Sequence, residues 1–83
     1  MSWLCYILRC ADGTLYTGIT TDLEKRLAAH NEGTAAKYTR ARGPVELVLA
    51  EHCADRSAAL KREMAIKSLT RAKKLALIRS GSR

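Results

Sequence analysis

Apolar and polar residues fall into distinct blocks along the chain, beginning with two apolar runs at residues 3–10 and 15–20. Both runs are rich in aromatic, β-branched and aliphatic residues, a composition typical of β-strands. The sequence Ala-Asp-Gly between them, at residues 11–13, is typical of a tight turn. The N-terminal part of the chain therefore predicts a β-hairpin.

The length of the hairpin loop decides which side chains share a face of the sheet. A two-residue Asp-Gly loop pairs Cys10 with Leu15 and sends Tyr6 and Tyr16 to opposite faces. A three-residue loop with a left-handed glycine pairs Cys10 with Thr14 instead. Hydrophobicity is compatible with both registers, and we favour the three-residue loop. The side chains that it places on one face are Tyr6, Leu8, Tyr16 and Gly18.

A helical pattern begins after the hairpin. Thr21 and Glu24 form a capping-box sequence that predicts the start of a first helix, and Gly33 follows its predicted end. Leu23 and Leu27 are four residues apart, a spacing that places both on one face of a helix. We expect this face to pack on the sheet.

The remaining chain predicts one more strand and two more helices. Residues 33–44 are expected to form a loop, and residues 45–53 the third strand of a single antiparallel sheet. Asp55 is the predicted N-cap of a helix over residues 56–69, and Thr70 that of a last helix. The residues predicted to face inward from the last helix are Ala72, Leu75, Ala76 and Ile78. The pattern thus predicts an α+β fold with the element order β-β-α-β-α-α.

Composition indicates a small globular domain. Apolar residues make up 47% of the 83 positions and charged residues 28%. We expect one domain over residues 1–80 and a frayed C-terminus at residues 81–83. No apolar run approaches the roughly 20 residues of a membrane span, and the N-terminus lacks the basic start of a signal peptide. The three cysteines form no C-x-x-C pair, so we expect reduced thiols in a cytoplasmic protein.

The net charge of +7 and the pI of about 9.8 indicate a basic protein. The excess is concentrated in the C-terminal third, where nine Lys or Arg residues from position 56 onward accompany one acid. Small basic domains commonly bind nucleic acid, an anionic membrane surface or an acidic partner. Charge alone leaves these three classes open.

The one acidic residue of the C-terminal third is Glu63, and it lies where the helical pattern calls for an apolar residue. At about 100° per residue, Ala59 and Ile66 lie on one side of it and Leu60 and Met64 on the other. A carboxylate within an apolar stripe must be paired, bound to a metal or neutralised. We favour a role as ligand of one divalent ion, Mg²⁺ or Mn²⁺, because both accept carboxylate and water ligands.

Two other interpretations of these polar residues are open. Glu63 and Lys67 could form an i,i+4 ion pair on a solvated helix face. A zinc site made by Cys53, His52 and His30 is conceivable, but these residues lack the spacing of metal-binding fingers.

Two residues of the first helix and two tyrosines are further candidates for phosphodiester chemistry. Arg26 suits bidentate contact with a phosphate, and His30, four positions later, could donate or accept a proton. From spacing alone, an exposed arginine and a boundary histidine are the simpler interpretation. Tyr6 and Tyr16 are by default strand residues, but either could align water, or act as a base if nearby cations lowered its pKa.

A second group of residues is suited to holding a nucleic acid. The predicted loop before the third strand combines cations with an aromatic ring and a hydroxyl group, which could grip phosphate or stack on a base. Its candidate residues are Lys37, Tyr38, Thr39, Arg40 and Arg42. Lys67, Lys73 and Lys74 add positive charge that would draw in a polyanion. A solvated basic surface without a ligand is the alternative.

In this order and spacing, the candidate residues resemble the GIY-YIG nuclease superfamily. Residues 4–6, Leu-Cys-Tyr, stand where the family has Gly-Ile-Tyr, and residues 16–18, Tyr-Thr-Gly, where it has Tyr-Ile-Gly. Arg26 and His30 match residues of the family's following helix, and Glu63 matches its metal-binding glutamate. The resemblance covers essentially the whole chain and is closest to small stand-alone bacterial members of the UPF0213 type. Residues 39–44 are also similar to the corresponding loop of structure-specific members.

The resemblance implies a three-stranded antiparallel sheet flanked by helices and metal-dependent hydrolysis of DNA phosphodiester bonds. The DNA could be a branched, nicked or damaged duplex, as in DNA repair. The site that the resemblance implies joins Tyr6, Tyr16, Arg26, His30 and Glu63. Many members use an asparagine after the glutamate, whereas this chain contains only Asn31. The alternatives to a nuclease are a nucleic-acid-binding module that cleaves weakly or not at all, and a basic protein that binds a partner protein or ribosomal RNA.

Overall fold

The computed structural model describes residues 2–81 and shows a three-stranded antiparallel sheet with helices on both faces. The elements are β1 (Trp3–Arg9), β2 (Leu15–Thr20), α1 (Leu23–Glu32), α2 (Lys37–Arg40), β3 (Glu46–Cys53), α3 (Arg56–Lys67) and α4 (Arg71–Gly81). The strand order is β2-β1-β3, so β1 is central. The predicted α+β class and element order are confirmed, with one addition: the predicted loop contains the short helix α2.

The hairpin loop sets the register of β1 and β2. Cys10 N donates to Thr14 O at 2.8 Å, and Gly13 N donates to Cys10 O at 2.9 Å. Gly13 has a φ of 87°, the left-handed conformation that the three-residue loop requires and that glycine adopts without a steric clash. Tyr6 consequently lies opposite Gly18. The favoured register is confirmed.

The two faces of the sheet bury different sets of side chains. One face packs against α3 and α4, and the buried cluster there is Cys5, Ile7, Leu49, Ile66 and Ile78. The other face packs against α1 through Leu23 and Leu27, and its buried cluster is Tyr6, Leu8, Cys10 and Val45. Because side chains alternate along a strand, β1 contributes to both clusters.

The start of α1 differs from the predicted capping box. The N-cap is Asp22 rather than Thr21, and its carboxylate accepts a hydrogen bond from Lys25 N at 3.1 Å. Thr20 Oγ1 accepts from Asp22 N at 3.1 Å, and this turn leaves Asp22 in the extended conformation that an N-cap needs. The predicted caps that the structure confirms are Gly33, Asp55 and Thr70.

The inward face of α4 also differs from the prediction. Ala72 and Ala76 are exposed, whereas Leu75, Leu77 and Ile78 pack against the core. Burial of leucine and isoleucine removes more apolar surface from water than burial of alanine. The helix therefore turns its larger side chains toward the sheet.

The last helix includes part of the segment that was expected to fray. Helix α4 continues through Gly81, and residues 82–83 lie outside the described part of the chain. The domain boundary at residue 80 stays a prediction. Between residues 2 and 81 there is no helix with both the length and the apolar character needed to cross a membrane.

The three cysteines are free thiols, as their spacing predicted. Cys5 and Cys10 are buried. Burial, followed by the neighbouring Cys53 and Glu51, raises the pKa of Cys5 to about 11, so this thiol stays protonated and unreactive at neutral pH.

Loss of the α3 cap should weaken the fold. Asp55 accepts a hydrogen bond from Ala58 N at 2.8 Å, so Asp55→Ala leaves that amide without its partner. We expect the free energy of unfolding, measured by urea denaturation, to fall by about 1 kcal/mol. Ser57→Ala, at an exposed position of the same turn, is the control and should change it by less than about 0.5 kcal/mol. An unchanged denaturation midpoint in Asp55→Ala would contradict the assigned cap.

Candidate active site

Tyr6 lies at the centre of the candidate site. It occupies the middle of β1, it is 1% exposed, and its hydroxyl oxygen lies 2.9 Å from His30 Nε2. Burial, followed by the nearby Tyr16, raises the pKa of Tyr6 to about 12, against an opposing effect of Arg26. The phenol is therefore protonated at neutral pH and bonded to the imidazole.

A glycine leaves the space that this hydroxyl occupies. A Cβ atom built on Gly18 would lie 2.5 Å from Tyr6 Oη and 2.7 Å from its Cζ. These distances are far shorter than ordinary van der Waals contacts of about 3.5–4.0 Å. Any side chain at position 18 would therefore displace the Tyr6 ring, which gives the glycine of the second triplet a steric role.

His30 links the sheet to both helices on its side. It lies in the last turn of α1 and is buried, and its Nδ1 is 2.8 Å from Thr39 Oγ1 in α2. The Thr39 hydroxyl in turn lies 3.2 Å from Ala36 O. Burial, followed by the charge of Arg26, lowers the pKa of His30. The simpler sequence interpretation, a boundary histidine, is therefore wrong, because this imidazole is enclosed by protein and is neutral at pH 7.

A row of aromatic rings extends from the buried pair to the surface. The centroid of the half-buried Tyr16 ring lies 5.0 Å from that of His30 and 6.5 Å from that of Tyr6. Tyr16 also lies 5.9 Å from Tyr38, which is 39% exposed. Such tilted and edge-to-face pairs are favourable arrangements of aromatic rings. Tyr16 therefore connects the interior of the site with its exposed edge.

Arg26 places a guanidinium beside the buried pair. Arg26 is an exposed residue of α1, yet its charge lowers the pKa of both Tyr6 and His30. The guanidinium opens onto a groove of about 400 Å³. The other lining residues of this groove are Thr20, Thr21, Asp22, Lys25 and Ala29. An anion in the groove would therefore reach Arg26 directly.

Glu63 lies on α3, with its side chain 18% exposed. Its charge raises the pKa of Tyr6, as the smallest of the effects on that phenol, and also that of Cys5 on the opposite face of the sheet. Lys67 Nζ lies 3.2 Å from Glu63 Oε2, so the ion pair considered as an alternative is present. The lysine side chain is 55% exposed, and exposed pairs of this kind contribute little to stability. The lysine nevertheless occupies the carboxylate, so a metal ion would have to displace it in order to bind Glu63.

The apolar stripe around Glu63 is narrower than predicted. Ala59 and Ile66 are buried and Leu60 is half-buried, but Met64 is 70% exposed. Met64 lies about 140° around the helix from Ala59, beyond the width of a stripe that packs on one sheet. Glu63 lies about 40° from Ala59 and about 60° from both Ile66 and Leu60, so it still falls within this narrower stripe.

Glu63 supplies a single carboxylate, which suits a hard divalent ion with water ligands rather than a closed metal cage. Within residues 2–81, no three His, Cys, Asp or Glu side chains converge, so the combination of Cys53, His52 and His30 is not assembled. One accessible carboxylate, completed by water and phosphate oxygens, is a donor set that Mg²⁺ accepts. Glu63 is the residue that would hold such an ion.

Only part of the predicted nucleic-acid-binding segment faces solvent. Lys37, Tyr38 and Arg40 of α2 are exposed, as contact with a large ligand requires. Thr39 is fully buried against His30, so the structure corrects its predicted place on the binding surface. A single helical turn that packs on the protein must direct at least one of its side chains inward, and here that residue is Thr39.

Arg42 is engaged by the protein itself. Its Nη1 donates to Tyr38 O at 2.7 Å, and its guanidinium carbon lies 4.1 Å from the centroid of the Tyr38 ring. Its Nε lies 3.2 Å from Asp12 Oδ2, an electrostatic contact without the alignment of a hydrogen bond. Its carbonyl accepts from Ala11 N at 2.8 Å. Arg42 therefore ties the α2 segment to the hairpin turn.

The other predicted cations lie in two different places. Lys67 pairs with Glu63 on α3. Lys73 and Lys74 belong to α4, which packs on the face of the sheet opposite to Tyr6. A nucleic acid at the site would reach these two lysines only by extending around the domain.

Two polar residues have partners that no sequence pattern revealed. Thr39 contacts His30, and Asn31 accepts a hydrogen bond from Val45 N at 2.7 Å. The only asparagine of the chain thus fixes the start of β3. These contacts join positions 9 and 14 apart, so they depend on the path of the intervening loop rather than on helix or strand periodicity.

The chain is similar along nearly its whole length to a family of small proteins. A family model for the GIY-YIG catalytic domain matches residues 2–76. A UPF0213 protein of Desulfotalea psychrophila is 51% identical, over 99% of this chain and 76% of its own length. A UPF0213 protein of Natronomonas pharaonis is 59% identical, over 88% of this chain and 86% of its own length. The solution NMR structure of a UPF0213 protein from Bacillus halodurans, 41% identical, matches 99% of this chain and 87% of its own with a TM-score of 0.65.

A side chain at position 18 should disrupt the site. Gly18→Ala forces the Tyr6 hydroxyl to move, and we expect the free energy of unfolding to fall by about 1–3 kcal/mol, the usual effect of overpacking a core. Near-ultraviolet circular dichroism should also change, because the tyrosine environment changes. The control is Gly43→Ala, where a new Cβ would meet nothing closer than Thr39 O at 4.0 Å. A Gly18→Ala variant with wild-type stability and spectrum would contradict the close approach.

The buried His30 predicts a loss of stability below neutral pH. Its pKa in the folded protein lies below the usual 6.5, so the unfolded chain binds more protons as pH falls through that value. The free energy of unfolding is therefore undiminished above that pH and decreases below it, by at most about 1.4 kcal/mol per pH unit for one proton. Denaturation in urea at a series of pH values from neutral to mildly acidic measures this slope.

The other histidine of the chain is the control for this change of the free energy of unfolding with pH. It is His52, which is exposed. We expect His30→Gln to remove most of the pH dependence in this range and His52→Gln to retain it. Equal slopes in the wild type and in His30→Gln would show that this imidazole is not the titrating group.

Proposed function

The chain belongs to the GIY-YIG catalytic domain family, a family of nucleases, and on that basis we propose that it is a metal-dependent endonuclease that hydrolyses DNA phosphodiester bonds. The observation that supports the proposal is the buried hydrogen bond between Tyr6 and His30, with the Tyr16 ring beside it and the charges of Arg26 and Glu63 acting on the Tyr6 phenol. Hydrolysis of a phosphodiester needs a proton acceptor, a cation for the phosphate and a ligand for the metal, and the five side chains supply all three.

Each group has a role that follows from its chemistry. Arg26 can contact two phosphate oxygens and stabilise the charge that develops in the transition state. Glu63 would hold one Mg²⁺ or Mn²⁺ ion, which when bound acts as a Lewis acid toward the phosphate. Tyr6 and His30 are bonded at 2.9 Å and can exchange a proton, so we assign to Tyr6 the acceptance of a proton from the attacking water. Tyr16, between this pair and the surface, positions that water.

The exposed residues near the site suggest how a nucleic acid would bind. Lys37 and Arg40 extend from α2 into solvent, and Tyr38 packs against Tyr16. Contacts of cations with phosphates position a duplex without identifying its bases. We therefore propose weak sequence preference and selection by DNA shape, with branched, nicked or damaged duplexes as substrates and a role in DNA repair in the cytoplasm.

The second candidate function is a nucleic-acid-binding module that cleaves weakly or not at all. The ion pair of Glu63 with Lys67 favours it, because the lysine neutralises the carboxylate that would hold the metal. Both functions would use the same basic surface. They differ in whether the Glu63 carboxylate binds a metal ion or stays paired with Lys67. A divalent ion would have to displace the lysine for cleavage to occur.

Cleavage assays distinguish the two functions. The purified protein is incubated with intact, nicked and branched duplexes in Mg²⁺ or Mn²⁺, with and without a chelator. We expect metal-dependent cleavage, and we expect Glu63→Gln to lower its rate by at least about 10²-fold, because an electrostatic contribution to the transition state is lost. Binding of DNA by this variant, measured by fluorescence anisotropy, should persist because the cationic surface is unchanged.

The matched control is Glu46→Gln. Glu46 is an exposed carboxylate on β3, 3.8 Å from Arg9, and its loss should leave cleavage unchanged. Arg26→Lys should also lose activity, because an ammonium group cannot make the bidentate contact of a guanidinium. DNA binding without cleavage of any substrate, and unaffected by Glu63→Gln, would contradict the nuclease and support the binding module.

A further inference from the structure

A line of hydrogen-bonded groups runs beneath the candidate site. Tyr6 Oη lies 2.9 Å from His30 Nε2, His30 Nδ1 lies 2.8 Å from Thr39 Oγ1, and Thr39 Oγ1 lies 3.2 Å from Ala36 O. Tyr6, His30 and Thr39 are each no more than 1% exposed. Buried polar groups are nearly always hydrogen-bonded, so each of these must be satisfied by its neighbours in the line.

The groups at the two ends of this line differ in whether they donate or accept hydrogen bonds. Ala36 O is a carbonyl oxygen that can only accept, so it takes the single hydroxyl proton of Thr39. At the other end, the charge of Arg26 acts on the Tyr6 phenol, and a guanidinium can only donate. With a donor at one end and an acceptor at the other, one direction of donation satisfies every group between them.

We infer that Thr39 is a positioning residue that holds His30 in the Nδ1–H tautomer. Because the Thr39 proton goes to Ala36 O, Thr39 Oγ1 is left to accept from His30 Nδ1–H. Nε2 is then unprotonated, and its lone pair receives the hydroxyl proton of Tyr6. Thr39 thus acts on the chemistry through the imidazole and touches no substrate.

The opposite direction of donation leaves a group unsatisfied. If Thr39 donated to Nδ1, the proton of His30 would lie on Nε2 and point at Tyr6 Oη. Tyr6 Oη would then accept from this N–H, and its own proton would lose its acceptor, because the hydroxyl has no other hydrogen-bond partner among residues 2–81. A buried hydroxyl without an acceptor is unfavourable.

The consequence for catalysis rests on the proposed function. As water attacks phosphorus, one of its protons passes to Tyr6 Oη, while the O–H bond of Tyr6 breaks and an N–H bond forms at His30 Nε2. Tyr6 is again a phenol, and His30 is an imidazolium whose Nδ1–H still donates to Thr39. Reverse transfer through Tyr6 to solvent water restores the neutral pair after the product leaves.

The tautomer of His30 can be measured without any activity. Long-range ¹H–¹⁵N correlations of the imidazole rings distinguish protonated Nδ1 from protonated Nε2, and the exposed His52 is an internal reference. At neutral pH we expect the Nδ1–H form at His30, the reverse of the form that free histidine side chains prefer. The Nε2–H form at His30 in the wild type would overturn the inference.

Variants of the threonine separate its hydroxyl from its packing. Thr39→Val keeps the shape but removes the acceptor, so the His30 ring should switch to the Nε2–H form, whereas Thr39→Ser should retain Nδ1–H. Thr34→Val is the control, because the exposed Thr34 hydroxyl donates to Ala29 O, away from the imidazole. Retention of the wild-type tautomer in Thr39→Val would show that the hydroxyl does not set it.

Cleavage then tests the catalytic consequence. Thr39→Val should lower the rate by about 10²-fold with DNA binding unchanged, since a positioned proton acceptor contributes at least that much. Thr39→Ser and Thr34→Val should cleave at rates close to that of the wild type. A switched tautomer with a wild-type rate would overturn the positioning role. A wild-type protein that cleaves nothing would defeat the proposed nuclease, while the spectra would still decide the tautomer.

Discussion

The hydrogen bond between Tyr6 and His30 is the contact on which the rest of the site depends. It joins the central strand to the last turn of α1, between residues 24 positions apart. It requires glycine at position 18, because any larger residue would occupy the place of the hydroxyl. Burial favours the neutral imidazole, whose free ring nitrogen can accept a proton. Fold and chemistry therefore share one constraint, a buried polar pair that is satisfied only when both strands of the hairpin and α1 are in place.

The apolar cluster under α3 and α4 and the candidate site under α1 lie on opposite faces of the sheet. The face covered by α3 and α4 buries an apolar cluster, whereas the face covered by α1 contains the phenol and the imidazole. Glu63 belongs to α3, on the apolar face, yet its charge acts on Tyr6 on the other face. The preceding residue, Arg62, donates two hydrogen bonds to Glu51 of β3, at 2.7 and 3.1 Å. The carboxylate is therefore supplied by a helix that is anchored to the sheet by charge as well as by apolar packing.

Local chemistry made most of the fold predictable from sequence. Gly13 and Asp55 act on backbone groups within three residues of themselves, so spacing was sufficient to assign the loop and the cap. The inward face of α4 was predicted less well, because Ala76 and its larger neighbours could each have faced the sheet and only packing distinguishes them. Periodicity singled out Glu63, but it could not join this residue to Tyr6, Tyr16, Arg26 and His30, and only the order of a family pattern suggested one shared site. Thr39 was missed as the partner of His30 because a surface loop was expected where the chain folds back as a helix.

The segment that carries α2 is fastened to the domain on two sides. Thr39 bonds to α1 from within, and Arg42 contacts the hairpin turn through Asp12 and the backbone of Ala11. A surface restrained in this way loses little conformational freedom when it binds a ligand. The ligand must therefore change its own shape to fit. Bending an intact duplex to fit a fixed surface requires deformation energy, whereas a backbone that is already interrupted or kinked conforms more easily. Under the proposed function, the fixed α2 segment would therefore favour DNA molecules that already have the required shape over intact duplexes with the same bases.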